Sequence, residues 1–210
     1  ATFAMPTMLG AQTAFVDGGK TSVLLDTALL SAAASLDLSS VSSDVNEGNL
    51  GTGSVAFDIN GRDAASLPTT FSYTPGSLAP FFGAIEHTGS VFFNNDTVEV
   101  GNFTIGFDAN RVSGNTSGFF VESTTGINAV LFDVGTPSLL DASANSLGIQ
   151  ADLLVSNEFS DFLNTNGLAS SDLTGADVGN ASVKASAIPE PCGTFIIVCV
   201  GGLAAVRRKR

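Results

Sequence analysis

Residues 102–107 read Asn102-Phe103-Thr104-Ile105-Gly106-Phe107, an alternation that puts Phe103, Ile105 and Phe107 on one side of an extended chain and Thr104 and Gly106 on the other. A sheet buried on one face needs this period of two, and an α-helix has no use for it. The pattern continues outward. Thr97-Val98-Glu99-Val100 comes just before, and the polar turn Asn94-Asn95-Asp96 joins that run to Gly89-Ser90-Val91-Phe92-Phe93. Further upstream, Val55-Ala56-Phe57-Asp58-Ile59 alternates and ends at Asn60-Gly61, a dipeptide that favours a type I′ hairpin turn. Thr69 to Tyr73 is β-prone and is stopped by Pro75-Gly76. Downstream, Phe119 to Val121, Ala129 to Val134 and Leu147 to Val155 recur at the spacing of a multi-stranded sandwich or barrel. The expected fold is all-β: an antiparallel β-sandwich or barrel-like domain over residues 15–188, with one or two short helices. One helix candidate is Thr27 to Ala34, and the other is Glu158 to Leu163, capped by Asn157 and ended near Asn166-Gly167. Residues 39–53, polar and glycine-rich, read as a loop.

Composition removes several functional classes. Of 210 residues, 44% are hydrophobic and 13% charged, which is too apolar for a disordered acidic tail despite a net charge of −12. One histidine, and two cysteines seven apart near the end, exclude a histidine-rich zinc site, a four-cysteine cluster and a disulfide framework for the body. The charge is unevenly divided: residues 1–188 carry 4 basic and 19 acidic groups, a net −15, whereas residues 189–210 carry 4 basic groups against Glu190, a net +3. Lys20, Arg62, Arg111 and Lys184 are too few to neutralise a phosphate backbone, so nucleic acid is excluded as a partner.

Catalytic chemistry finds no local support, and a non-enzymatic protein is expected. A Ser-His-Asp hydrolase would need His87 as its base, but there is no Gly-x-Ser-x-Gly elbow to present a nucleophile. No two carboxylates are grouped with an aromatic sugar platform. Asp58, Asn60 and Asp63 place oxygens at near-alternate positions as calcium loops do, and Asp108-x-Asn110 echoes them. The distal glutamate of such a loop is missing and the stretch coincides with the Asn60-Gly61 turn, so no cofactor is expected, with calcium as the alternative. Four Asn-x-Ser/Thr sequons, at Asn95, Asn102, Asn115 and Asn180, arise readily in asparagine-rich turns.

The last 22 residues differ from all that precedes them. Pro189-Glu190-Pro191 is followed by an apolar stretch from Gly193 to Val206 and then by Arg207-Arg208-Lys209-Arg210. An apolar helix satisfies its own backbone polar groups in lipid, and a basic terminus holds its end on the cytoplasmic side. As a helix the stretch covers about 21 Å against a hydrocarbon core of about 30 Å, so snorkelling arginines or a thinned bilayer are required. This three-part tail resembles the PEP-CTERM sorting signal of Gram-negative bacteria. That resemblance implies an exported precursor, transiently anchored in the inner membrane by a transmembrane sorting helix. An exosortase would then remove the tail and release the protein to the cell surface or extracellular matrix of an exopolysaccharide-making, biofilm-forming organism. The position after the triplet, commonly a small hydroxyl residue, is Cys192 here: a tolerated small residue, or a lipid-accepting thiol. Residues 1–14, small and apolar, read as a signal-peptide remnant or as a first strand.

The body resembles a class of bacterial secreted β domains in Thr21 to Leu38, in the step Ile85-Glu86-His87-Thr88-Gly89, in Phe162-Leu163-Asn164 and in Asp177-Val178-Gly179. Some of these look related to haem-uptake β domains, which makes Tyr73 and His87 candidate ligands; a structural histidine beside a turn glycine is the alternative. Two functions follow as expectations. The first is an exosortase-sorted surface or matrix protein with a structural, adhesive or assembly role among exopolysaccharide or other matrix components, self-assembly included. The second is a surface ligand-binding β domain for sugar, calcium or haem.

Overall fold

The computed structural model of the chain describes residues 12–190. Strand β1 (Ala14–Leu25) leads into helix α1 (Thr27–Ala34), followed by β2 (Leu38–Val41), β3 (Asn46–Glu47) and β4 (Val55–Asp58). Next come β5 (Ser72–Thr74), β6 (Leu78–Phe82), β7 (Ile85–Glu86), β8 (Ser90–Phe93) and the long β9 (Val98–Val112). Strands β10 (Thr116–Gly126), β11 (Ala129–Gly135), β12 (Leu139–Ala142) and β13 (Ser146–Val155) precede α2 (Asn157–Thr165) and β14 (Asp177–Pro189).

These strands form one antiparallel, curled sheet in the order β2-β8-β9-β10-β11-β13-β14-β1-β4-β3, with β12 added to β13, the β5–β6 hairpin added to β1, and β7 added to β9. The curl returns on itself between the segments that follow β4 and β7. Ile59, just past β4, bridges His87, just past β7, and the Asn60 N–H donates to the Glu86 carbonyl at 2.8 Å. The antiparallel all-β expectation is met by a curled sheet, and both helix candidates are present.

Local chemistry explains most of the boundaries. The two runs read at Thr97–Val100 and Asn102–Phe107 are one 15-residue strand, β9. Asn102 takes a left-handed conformation (φ 48°), which reverses the alternation, so Val100 and Phe103, three apart, both bury. The turn at 94–96 is as read: Asn94, Asn95 and Asp96 all have φ between 54° and 64°, a conformation these short polar side chains tolerate best. Helix α1 is capped by the Asp26 carboxylate, which accepts from the Leu29 N–H.

Three expectations need correction. Asn60-Gly61 is not a hairpin turn, because β4 pairs with β1 and β3 and not with the strand that follows. Both ends of the Asn60 side chain are occupied, Nδ2 donating to the Leu67 carbonyl and Oδ1 accepting from the Thr88 hydroxyl. Helix α2 is capped by Ser156, one residue before Asn157: its hydroxyl donates to the Val130 carbonyl at 2.7 Å and accepts from the Phe159 N–H at 3.0 Å. Residues 39–53 contain most of β2 and all of β3, strands with no buried residue, which hid them from a reading by hydrophobic period. Of the 1–14 segment, Ala14 opens β1, and residues 1–11 lie outside the described residues. The expected tail helix, with Pro191, Cys192 and Arg207 to Arg210, lies outside the described residues; among those described, no helix is long and apolar enough to cross a membrane.

Two core clusters stack along the axis of the curl. Leu25 and Leu153 both register with Gly179, and α1 and α2 follow directly from that level, so both helices finish one end. There Leu30 and Ala34 of α1 and Phe159 and Leu163 of α2 pack with Phe57, Phe93, Phe103 and Leu131. At the opposite, terminal end Ala14 faces Pro189, and Val16, Phe71, Tyr73, Ile85, Leu147 and Val183 form the second cluster.

Candidate functional site

Between the two clusters lies an interior cavity of about 100 Å³, lined by apolar side chains from both and by two polar residues, Thr21 and His87. His87 is 1% exposed. Its Nδ1 lies 3.0 Å from the Phe103 carbonyl, which can only accept, so Nδ1 carries the proton; Nε2 then accepts from the Thr21 hydroxyl at 2.7 Å. Burial pushes the imidazole pKa down to about 4, against the raising effect of the Phe103 bond, and His87 is a neutral core residue.

Tyr73 is equally enclosed, at 0% exposure. Its hydroxyl lies 2.6 Å from the Ser143 carbonyl and 2.9 Å from that of Ser146, tying β5 to the turn between β12 and β13. Burial, assisted by the charge of Asp141, raises its pKa and keeps the phenol protonated. The expectation that Tyr73 and His87 serve as haem ligands does not fit this arrangement. An iron would have to displace existing hydrogen bonds inside a cavity well below the roughly 300–1,000 Å³ of small-molecule pockets.

The calcium candidates are likewise not assembled. Asp58 points to Lys20 at 3.5 Å, Asn60 has its carbonyl oxygen occupied by Thr88, and Asp63 lies on the exposed loop beyond. Asp108 accepts from both the backbone and side-chain nitrogens of Asn110, an Asx turn that accounts for the echo. Among the described residues no three His, Cys, Asp or Glu side chains converge as metal ligands. Of the sorting motif, Pro189 closes β14 and the Glu190 N–H donates to the Thr13 carbonyl.

The structure gathers a group that the sequence did not single out. Phe81 meets Phe107 edge to face at 4.9 Å, Phe107 meets Phe119 at 5.2 Å, and Phe81 lies 5.1 Å from Phe119. Phe71, stacked on Phe81 at 5.8 Å, joins this group to the core. The cluster sits at a seam. Among the described residues β6 pairs only with β5, and the β7 ladder on β9 stops at Ile105, so beyond that point Phe81 meets Phe107 of β9 through its ring. Phe107 is 40% exposed at the rim. Gly118 permits its position, since a Cβ there would lie 2.7 Å from the Phe107 ring. Phe81, Phe107 and Phe119 are far apart in sequence, and the one available signal was the unusual count of 16 phenylalanines with no tryptophan.

A polar groove at the helix end is lined by Ser35, Asp37, Leu38, Ser39 and the turn Asn94 to Asp96. Much of its hydrogen-bonding capacity is used internally: Asn94 bonds the backbone of Asp37 and Ser35, Ser39 accepts from Asn95, and Asp96 accepts from Ser40. It reads as a braced turn.

No family model matches the chain, and no curated protein matches it. Among solved structures the chain is similar to the crystal structure of the C-terminal domain of HtaA from Corynebacterium glutamicum, with a TM-score of 0.50 and 15% sequence identity, over 83% of this chain and 99% of that domain. At that identity the likeness speaks to the fold.

Proposed function

We propose that this is an exported surface β domain that binds the apolar face of a ring-bearing ligand on the rim formed by Phe81, Phe107 and Phe119. The observation that carries this reading is Phe107, 40% exposed while held edge to face against two other rings in a seam no hydrogen bonds close. Aromatic rings in such an array present fixed faces and edges, and apolar ligand surface laid on them leaves water at little conformational cost. The resemblance of the body to haem-uptake β domains makes a porphyrin the first probe. With Tyr73 and His87 enclosed, binding rests on the macrocycle and not on its iron. Haem and metal-free protoporphyrin, titrated in parallel by absorbance and fluorescence, should therefore bind with similar affinity, and Phe107→Ala should weaken both roughly tenfold or more. Binding of haem alone, lost in Tyr73→Phe or His87→Gln, would show that an iron ligand operates and that the rim reading is wrong.

In the same reading the tail is a PEP-CTERM signal, recognised by an exosortase after export and absent from the mature surface protein. Intact mass of protein recovered from cells tests this: a mass that includes Arg210 counts against removal. A matrix or assembly role is the second reading. It draws on β12, which among the described strands pairs only with β13 and leaves Leu139 and Leu140 each 49% exposed, with one edge contact, from the Gly76 N–H to the Ala142 carbonyl, at its end; the rest of that edge suits strand addition. Fibres of labelled protein in imaged secreted material, without porphyrin binding, would favour it.

A further inference from the structure

The outward face of the terminal end carries a row of side chains unlike the rest of the surface. In register across four strands, Phe82 of β6 lies opposite Ser72 of β5, Ser72 opposite Phe15 of β1, and Phe15 opposite Ile188 of β14. Directly paired residues share a face of the sheet, so these four form one row, in which Ser72 is buried between its larger neighbours. Phe82 is 70% exposed and Ile188 51% exposed. The Arg62 guanidinium lies 4.0 Å from the centre of the Phe15 ring. Two alternate positions back along β14 on the same face, Lys184 stands opposite Lys20. Three of the four cations in residues 1–188, a segment of net charge −15, therefore lie on this face, with Asp58 and Asp17 beside them as partners of Lys20 and of the Arg62 backbone.

The course of the chain says what covers this strip. After Ile188 and Glu190 the sequence reaches the apolar stretch Gly193 to Val206 and its four terminal cations. Two residues, Pro191 and Cys192, separate Glu190 from Gly193, so the span is three Cα steps, a reach of at most about 10 Å. We propose that the strip is a membrane-contact surface: while the tail is embedded, Phe82, Phe15 and Ile188 settle into the interface of an anionic bilayer, and Lys20, Arg62 and Lys184 meet its phosphates. The inference rests on the reading of the tail as a membrane segment and adds a defined orientation of the domain on the lipid.

The absence of tryptophan supplies the test. Full-length Phe82→Trp protein, reconstituted in phosphatidylcholine–phosphatidylglycerol vesicles, carries a single indole. Its emission should shift to the blue and fall at least roughly twofold with brominated acyl chains, as expected for a ring buried about 5–10 Å into the interface. Leu38→Trp, on β2 at the helix end, should be unquenched. Ile188→Trp repeats the measurement should the first variant fold poorly, and Lys20→Glu with Lys184→Glu should reduce quenching in anionic vesicles. Protein that floats with the vesicles while both Phe82→Trp and Ile188→Trp remain unquenched overturns the contact surface and leaves the tail reading intact. Protein that does not float overturns both. A blue shift that needs no lipid and grows with protein concentration overturns it in favour of a second copy of the chain.

Discussion

At one end of the curled sheet, Leu30 and Ala34 of α1 and Phe159 and Leu163 of α2 lie over the open strands and are at most 3% exposed. At the other end none of the described helices is laid across, and Phe107, Ile188 and Phe82 remain 40%, 51% and 70% exposed. The same kind of residue is used for stability in one place and left available for contact in the other. The difference lies in the connections: those that follow β1 and β13 are long enough to fold back as helices, whereas the β5–β6 hairpin and the β12–β13 turn are too short to cover anything.

This contrast can be broken or sharpened by substitution. Leu163→Ala, at a fully buried position of α2, should cost about 2–5 kcal/mol in denaturant unfolding and leave porphyrin affinity per folded molecule unchanged. Between the ends, His87 makes the core sensitive to acid. Its folded pKa near 4 lies below the unfolded value of 6.5, so stability is full above pH 6.5 and falls as the pH drops toward 4. The loss should be about 3 kcal/mol over that window, read from unfolding curves at several pH values, and His87→Gln should flatten it. Ser156→Ala removes the cap of α2 and its tie to Val130, and should lower stability by about 1–2 kcal/mol in the same assay. Phe107→Ala should cost about 0.5–1.5 kcal/mol of stability, and its main effect should be on ligand affinity. Phe82→Ser should change the melting free energy by less than about 0.5 kcal/mol. A large loss of stability in Phe107→Ala or Phe82→Ser would mean that the terminal end is core after all.

Strand alternation made most of this architecture legible in the sequence. Phe103 and Ile105 point inward as the opening pattern requires, and Phe107 shares their side of β9 but has run past the cover that buries them. Less legible was anything set by partners distant in sequence. Asn60-Gly61 looks like a turn until Leu67 and Thr88 occupy the asparagine. Asn157 looks like a helix cap until Val130 fixes the serine before it. Tyr73 and His87 have the chemistry of ligands, and only the fold shows their hydrogen bonds committed to Ser143, Ser146, Phe103 and Thr21. The aromatic rim joins three strands whose phenylalanines carry no local signature, and its assembly depends on where β6 leaves the ladder.

One further consequence follows from Ala14 and Pro189 being paired across β1 and β14. A force that draws Thr13 and Glu190 apart acts on this ladder one rung at a time, the Glu190–Thr13 bond first, then Ala14–Pro189 and Phe15–Ile188, and not on all its rungs in parallel. The domain should thus unzip under low tension between its ends, its hydrogen bonds failing in sequence. A load applied to the tail alone would begin by peeling β14 away from both β1 and β13, the neighbours that hold it in the sheet.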